Sequence, residues 1–313
     1  MMVSILICTR NRRSDLAQTL QALQQVELPL HRTAELVLVD NGSTDGTAEL
    51  IRSYEWSRGP VRALHEPRPG KGHAYRRGLS AAAGQVLLLT DDDVRPPRDW
   101  IAMMCEPIWS DRADMVQGGV KFAPHLLRDW MTPRLRSLLS STEELDASNP
   151  GWVVSANLAF SRRVLERVPA FDPELGAGAL GMEDEVLFWR QVREAGFRVI
   201  GVLDSPVEHW FDVQRLGRVS LVGYMRVHGR SRAYVDYHWH HQDVRHPRLA
   251  WCRAVVRWIT FHIERPAEWR RQEGISEAEA DVLGTLAYCE QQLIERRRPR
   301  NYAYRGLVKT SSE

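Results

Sequence analysis

Roughly the first hundred residues alternate between two hydrophobic periods. Apolar runs at Val3–Thr9, Glu35–Asp40, Val61–Leu64 and Val86–Leu89 are short and uninterrupted, as in strands covered on both faces. Between them the apolar positions take helical spacing. One stretch starts at Ser14 and places Leu16, Leu20 and Leu23 on one face. A second carries Ala48, Leu50 and Ile51 behind the capping candidates Ser43, Thr44 and Asp45, and a third covers Ala74–Ala83. Strands alternating with helices predict a parallel sheet.

The pattern loosens after Pro96-Pro97. Met115–Phe122 reads as a strand interrupted by Gly118-Gly119, residues 124–147 as a helical or loop excursion, and Trp152–Phe160 as a further strand. Glu183–Ala195 predicts a helix, with acids in its first turn and Gly196 to stop it. Phe197–Leu203 is a strand and Val207–Phe211 a separate short element. Beyond about residue 212 the chain is rich in Arg and Trp and mostly helical, ending in a polar tail at Lys309–Glu313.

Composition narrows the class. At 313 residues and 43% hydrophobic, the chain can bury a full core. A formal net charge of +2 excludes a general nucleic-acid binder. No apolar run is long enough for a spanning helix, and the opening MMVSILICT lacks the basic leader of a secretion signal. The four cysteines, Cys8, Cys105, Cys252 and Cys289, form no C-x-x-C pair and are expected to be reduced. Together these features predict a cytoplasmic protein.

The chemistry sits at the strand tips. The first strand runs into Thr9-Arg10-Asn11, the second into Asp40-Asn41, and the apolar run Val86–Leu89 into Asp91-Asp92-Asp93. In an open parallel sheet these tips face one crevice. If the triplet stays extended, Asp91 and Asp93 share a face and Asp92 points away. Two such carboxylates suit Mg²⁺ or Mn²⁺ and leave coordination sites for phosphate oxygens. Gly70-Lys71-Gly72 offers backbone N–H groups and a cation to a diphosphate, without P-loop spacing. Glu183-Asp184-Glu185 opens a helix, where the macrodipole favours ionised carboxylates, and one of them could serve as a general base. His209 could complete a metal shell begun by Asp93. The run His238-Trp-His-His241 is expected in a surface or acceptor loop.

Taken in order, SILICTRNR, ELVLVDNGSTDGT, GKGHAYRRGLSAAAG, VLLLTDDDVRPPRDW, SANLAFSRRVL, FDPELG, GMEDEVLFWRQVREAGFRV and SPVEHW resemble the family 2 nucleotide-sugar glycosyltransferases, inverting enzymes of the GT-A fold. The resemblance implies a Rossmann-like, mostly parallel mixed sheet flanked by helices, with a C-terminal helical extension. It divides the chain into a nucleotide-sugar-binding half at 1–95, an acceptor-binding and catalytic half at 96–211, and the helical extension at 212–313.

Carried onto this chain, the resemblance puts Thr9, Arg10 and Asn11 in the nucleotide pocket and Asp40 on the base. Lys71 approaches the base or diphosphate, and Asp91 and Asp92 lie by the ribose or the metal's outer shell. Asn157 lies near the donor sugar. Asp93, with Asp91 and His209, holds Mn²⁺ or Mg²⁺. Asp184 is the catalytic base, supported by Glu183. Arg76 stands where many relatives have asparagine, and Tyr75 where some have arginine. A Q-x-x-R-W motif is missing, which implies single addition rather than polymerisation.

The implied donor is a UDP-, GDP- or dTDP-sugar and the acceptor a glycan or lipid-linked hydroxyl, with nucleic acid excluded as partner. Residues 212–313 are expected to pack on the catalytic domain, to form a homodimer contact, or to lie peripherally on the inner membrane face. The rival readings are a sugar-phosphate nucleotidyltransferase and a catalytically silent glycan-binding or scaffold subunit.

Overall fold

The computed structural model describes residues 1–169 and 171–310, so only Lys309 and Thr310 of the polar tail lie within the described residues. Three β/α steps and a fourth strand come first: β1 (Met2–Thr9), α1 (Arg13–Leu23), β2 (Thr33–Asp40), α2 (Thr47–Ser53), β3 (Val61–His65), α3 (Lys71–Ala81) and β4 (Val86–Thr90). There follow β5 (Val94–Arg95), α4 (Trp100–Trp109), β6 (Met115–Phe122), the short α5 (Pro133–Leu138), β7 (Asn157–Ser161), α6 (Asp184–Glu194) and β8 (Val199–His209). The C-terminal helices are α7 (Arg218–His238), α8 (Pro247–Glu264), α9 (Pro266–Trp269) and α10 (Glu277–Glu295).

One eight-stranded mixed sheet runs in the order β3-β2-β1-β4-β7-β6-β8-β5. The first four strands are parallel, and β7 pairs antiparallel with both β4 and β6. Strand side chains alternate between the two faces, which splits the core in two. Ile5, Ile7, Leu36, Leu38 and Leu88 pack with Leu16, Leu20 and Leu23 of α1 and Trp100 of α4. Leu6, Val37, Val39, Leu87 and Leu89 pack with Tyr75 and Leu79 of α3 and Phe188 and Val192 of α6. That both faces are covered explains the uninterrupted apolar runs.

Several expected boundaries move. The two short elements predicted at 197–211 are one strand, β8, which pairs parallel with β6 across a register shift between Gly118 and Val120. The strand predicted from Trp152 begins only at Asn157, and the helix predicted from Ala74 begins at Lys71. The aspartate triplet is not extended: it turns the chain from β4 into β5. His238 ends α7 fully buried against Glu295 at 3.0 Å, so the histidine run is not a surface loop throughout.

The tail after α10 braces the loop that precedes α6. Asp172 Oδ2 accepts from the hydroxyls of Tyr234 and Tyr302, each at 2.8 Å, and its Oδ1 accepts from Lys309 Nζ at 2.7 Å. Glu174 accepts from Lys309 at 2.6 Å and from Arg298 at 2.5 Å. Burial works against the charge on Glu174, but Lys309 and Arg298 pull it down to about 2.

Lys309→Met should therefore lower the unfolding free energy by about 1.5–3 kcal/mol at pH 7, the loss of charge-assisted hydrogen bonds to buried acceptors. Because the folded value of Glu174 is depressed, its contribution is complete above its ordinary value and is lost as pH falls towards about 2. The gap between wild type and variant in urea melts should narrow between pH 5 and pH 2. A gap that is absent at pH 7, or that widens in acid, contradicts the brace.

Candidate active site

Sheet register assembles the cleft. Thr9 pairs with Asp40 across β1 and β2, and Ile7 pairs with Thr90 across β1 and β4. Asp92, just beyond β4, thereby arrives at Thr9, whose hydroxyl donates to Asp92 Oδ2 at 2.6 Å. On the far side β5 pairs antiparallel with the end of β8, matching Val94 to His209. Asp93 is left between the tips of two strands. The resulting cleft of about 520 Å³ is lined by Thr9, Arg10, Lys71, Asp91, Asp92, Asp93, Asp184 and His209 among others.

The acids are held by cations. Asp93 Oδ2 lies 2.9 Å from Arg12 Nη2 and 3.8 Å from Arg215 Nη1, and its Oδ1 lies 3.3 Å from His209 Nε2. Burial acts against the charge on Asp93, but His209, Arg12 and Arg215 outweigh it and hold the group below the usual carboxylate range. Burial raises neighbouring Asp92; Arg12 opposes the rise and the charge on Asp93 adds to it. Lys71 Nζ donates to Asp91 Oδ1 at 2.9 Å and to Ser155 Oγ at 3.0 Å. Cys8 also lines the cleft, but burial pushes its thiol up, which leaves it a poor nucleophile at neutral pH.

Asp184 opens α6 from the opposite wall. Its Oδ2 is buried with no hydrogen-bond partner, an expensive arrangement unless a ligand completes it. Glu183, just before it, has φ +68°, in the left-handed region that non-glycine residues rarely adopt. Gly176 supports the wall opposite: at φ +79° it brings backbone so close that a Cβ there would lie 2.7 Å from Asp184 Oδ2. Burial, and then the charge on Asp184, push Glu185 well above the usual carboxylate range.

Other expected residues lie elsewhere. Asn157 is fully buried rather than in the cleft. Trp100 Nε1 donates to its Oδ1 at 2.8 Å, and its Nδ2 donates to the Gly119 carbonyl at 2.8 Å. The bend at Gly118-Gly119 makes this possible, since a Cβ on Gly118 would meet the Asn157 amide. Asp40 accepts from the Ser43 amide at 3.0 Å and faces His65 Nδ1 at 3.0 Å. Asn11 accepts from the Thr44 amide at 2.7 Å. Glu183 faces His228 Nε2 at 3.6 Å. None of these lines the cleft. Tyr75 is buried against Phe171, with ring centroids 4.7 Å apart, and Arg76 is exposed, so neither departure from the family pattern touches the cleft.

Sequence reasoning missed Arg12, Ser155, Arg215 and Tyr224. Arg12 and Ser155 lie within the motifs SILICTRNR and SANLAFSRRVL, but no role was given to them. Arg215 and Tyr224 come from the segment after β8, whose sequence carries no periodic or motif signal for a cleft.

A divalent cation has partial support from the donor set. Among the described residues no group of three or more His, Cys, Asp or Glu side chains is arranged to hold a metal. Asp93 and His209 alone stand 3.3 Å apart, close to the roughly 3 Å between adjacent corners of an octahedron with ~2.1 Å bonds. His209 Nδ1 is buried and unpartnered. Asp93 and His209 therefore fit two corners of such a site, the rest falling to phosphate oxygens and water.

The family model described as glycosyl transferase family 2 matches residues 4–168, more than half of the chain. The chain belongs to glycosyl transferase family 2. A curated relative, the glycosyltransferase AglE of Haloferax volcanii, is 25% identical over 196 residues, covering 62% of each chain. A second, the undecaprenyl-phosphate 4-deoxy-4-formamido-L-arabinose transferase of Pseudomonas aeruginosa, is 29% identical over 107 residues, 34% of this chain and 32% of the relative. The chain thus spans less than two thirds of these relatives' length. Among solved structures, the mannosyltransferase PcManGT of Pyrobaculum calidifontis, in complex with GDP-Man and Mn²⁺, aligns with TM-score 0.56 at 19% identity, covering 92% of this chain and 69% of that one. The fold is GT-A.

The raised Glu185 carboxyl fixes one expectation. A carboxyl whose folded value is raised makes stability fall as pH climbs above its ordinary value. Glu185→Gln removes that slope, so the variant should gain on wild type in thermal midpoint between pH 5 and pH 8. A variant less stable than wild type at pH 8 would show Glu185 to be ionised and paired.

Proposed function

We propose that the chain transfers one sugar from a nucleoside-diphosphate sugar to an acceptor hydroxyl with inversion at the anomeric carbon, Asp184 being the general base. The observation that carries this reading is the unpartnered Asp184 Oδ2 in the same cleft as the cation-compensated aspartate turn. The acceptor hydroxyl gives its proton to Asp184 as its oxygen bonds to the anomeric carbon. The bond from that carbon to the diphosphate oxygen breaks on the opposite face, and the diphosphate leaves with the electron pair. General-base help need not be strong, since the hydroxyl becomes acidic only as its bond to carbon forms.

Charge on the departing diphosphate must be met in the cleft. Lys71, Arg12 and Arg215 bring permanent positive charge, but Asp91, Asp92 and Asp93 already engage it. A Mn²⁺ or Mg²⁺ held by Asp93 and His209 would act there as a Lewis acid. Glu185, next to the base in the cleft lining, is pushed well above the usual carboxylate range by burial and by the charge on Asp184. Thr9 and Asn41 line the nucleotide side, with Asp40 behind them. Relatives whose names include a polyprenyl phosphate favour a lipid-linked acceptor over a free glycan. Family membership leaves the nucleotidyltransferase rival without support.

Steady-state cleavage of UDP-, GDP- and dTDP-sugars in water tests the assignment without an identified acceptor. Wild type should turn over one donor class, and Asp184→Asn should lower that rate about 10²-fold or more while nucleotide affinity stays within about threefold. Unchanged turnover in the variant contradicts Asp184 as base. A wild type that cleaves and binds none of the donors returns the reading to a silent scaffold.

A further inference from the structure

Helix α8 is apolar on two opposite sides. Its inner side packs on the body of the protein: Ala254, Phe261 and His262 are buried, and the Trp258 ring meets His262 and Trp269, with centroids 5.0 and 6.1 Å away. Its outer side carries Leu249, Cys252, Val256, Ile259 and Ile263, spaced alternately three and four residues apart so that they form one stripe along the helix. Nothing among the described residues covers it. Leu249 is 48% exposed, Val256 61%, Ile259 44% and Ile263 74%. An amphipathic surface helix buries its apolar stripe and shows water a polar face; α8 buries one stripe and presents a second to solvent. Contiguous exposed apolar surface of this kind marks a contact surface.

The borders of the stripe identify the partner. Arg248 flanks it on one side and Arg253 and Arg257 on the other, all exposed, with Arg245 and Arg265 just beyond the helix ends. The only acid within α8 is Glu264, at its last position. A second copy of the chain, related by a two-fold axis, would set this arginine border against itself, which is repulsive. An anionic lipid surface satisfies both parts at once: apolar side chains enter the headgroup–acyl boundary, and the guanidiniums meet lipid phosphates. We infer that the outer face of α8 docks on an anionic bilayer surface and holds the enzyme there peripherally, independently of the chemistry in the cleft. No helix among the described residues is long and apolar enough to cross a membrane, so the contact is interfacial.

The test uses the full chain and needs no sugar substrate. Purified protein is floated with vesicles of phosphatidylcholine containing 30 mol% phosphatidylglycerol, with vesicles of phosphatidylcholine alone, and with the anionic vesicles in 0.5 M NaCl. Flotation is expected with anionic vesicles only, and reduced by salt. Val256→Ser/Ile263→Ser and Arg253→Glu/Arg257→Glu should each lower the floated fraction about tenfold or more with thermal midpoints unchanged. All of these side chains are exposed, so folding should survive in both variants. Absence of flotation with anionic vesicles overturns the proposal, as does equal flotation of both variants and wild type. Sedimentation of wild type as a dimer that Val256→Ser/Ile263→Ser converts to monomer also overturns it, by assigning the face to a second copy.

Discussion

Burying several carboxylates together is the constraint around which this molecule is organised. Removing an ion from water costs several kcal/mol even after the protein relaxes, and the cleft gathers Asp91, Asp92, Asp93, Asp184 and Glu185. Asp91, Asp92 and Asp93 are compensated from different parts of the chain. Arg12 comes from the start of α1, Lys71 from the start of α3, His209 from the end of β8, and Arg215 from the turn after it. Burial and the charge on Asp184 push Glu185 well above the usual carboxylate range. A sheet with another strand order would separate these groups and leave uncompensated charge in its interior. The same arrangement sets five carboxyl groups against four permanently cationic side chains, Arg10, Arg12, Lys71 and Arg215, along the cleft. An incoming diphosphate therefore meets little surplus positive charge. On electrostatic grounds, not by analogy alone, the site calls for an added cation.

The C-terminal segment is built into this arrangement rather than appended to it. α7 supplies Tyr224 to the cleft wall and His228 to Glu183. The tail after α10 grips Asp172 and Glu174 through Lys309, Tyr302 and Arg298, and the same loop carries Gly176 against Asp184. α8 alone stands apart in character, with one apolar face inside and one outside. The same hundred or so residues thus brace the loop before α6 while α8 keeps a second apolar face exposed.

Much of this was legible in the chain because strong local signals coincide with the sheet. The buried runs of β1, β2 and β4 announce parallel strands, and the polar residues that follow them must share one rim. The acids opening α6 were equally visible, and the structure brings Asp184 to the same cleft as Asp93. What the sequence could not supply is tertiary. The extended reading of Asp91-Asp92-Asp93 failed because pairing of Val94 with His209 pulls the chain into a turn, and so Asp92, expected to point away, bonds Thr9. Asn157 looked like a site residue but is spent on Trp100 and Gly119, a consequence of the β6 bend that no local pattern encodes. Arg215 and Tyr224 come from a segment whose spacing says only helix. Asp40 and Asn11 sit where expected in the chain, yet Asp40 is engaged by Ser43 and His65, and the Asn11 side-chain oxygen by the Thr44 amide.

The central claim is that a carboxylate cleft already neutralised from within accepts a nucleoside diphosphate only together with a divalent cation. Calorimetric titration of UDP, GDP and dTDP into the protein, with Mn²⁺ and then with chelator, tests it most directly. The account predicts binding of one nucleotide in Mn²⁺ that weakens at least tenfold, about 1.4 kcal/mol, on chelation. Equal affinity with and without the ion, or no binding of any of the three in either condition, would contradict it.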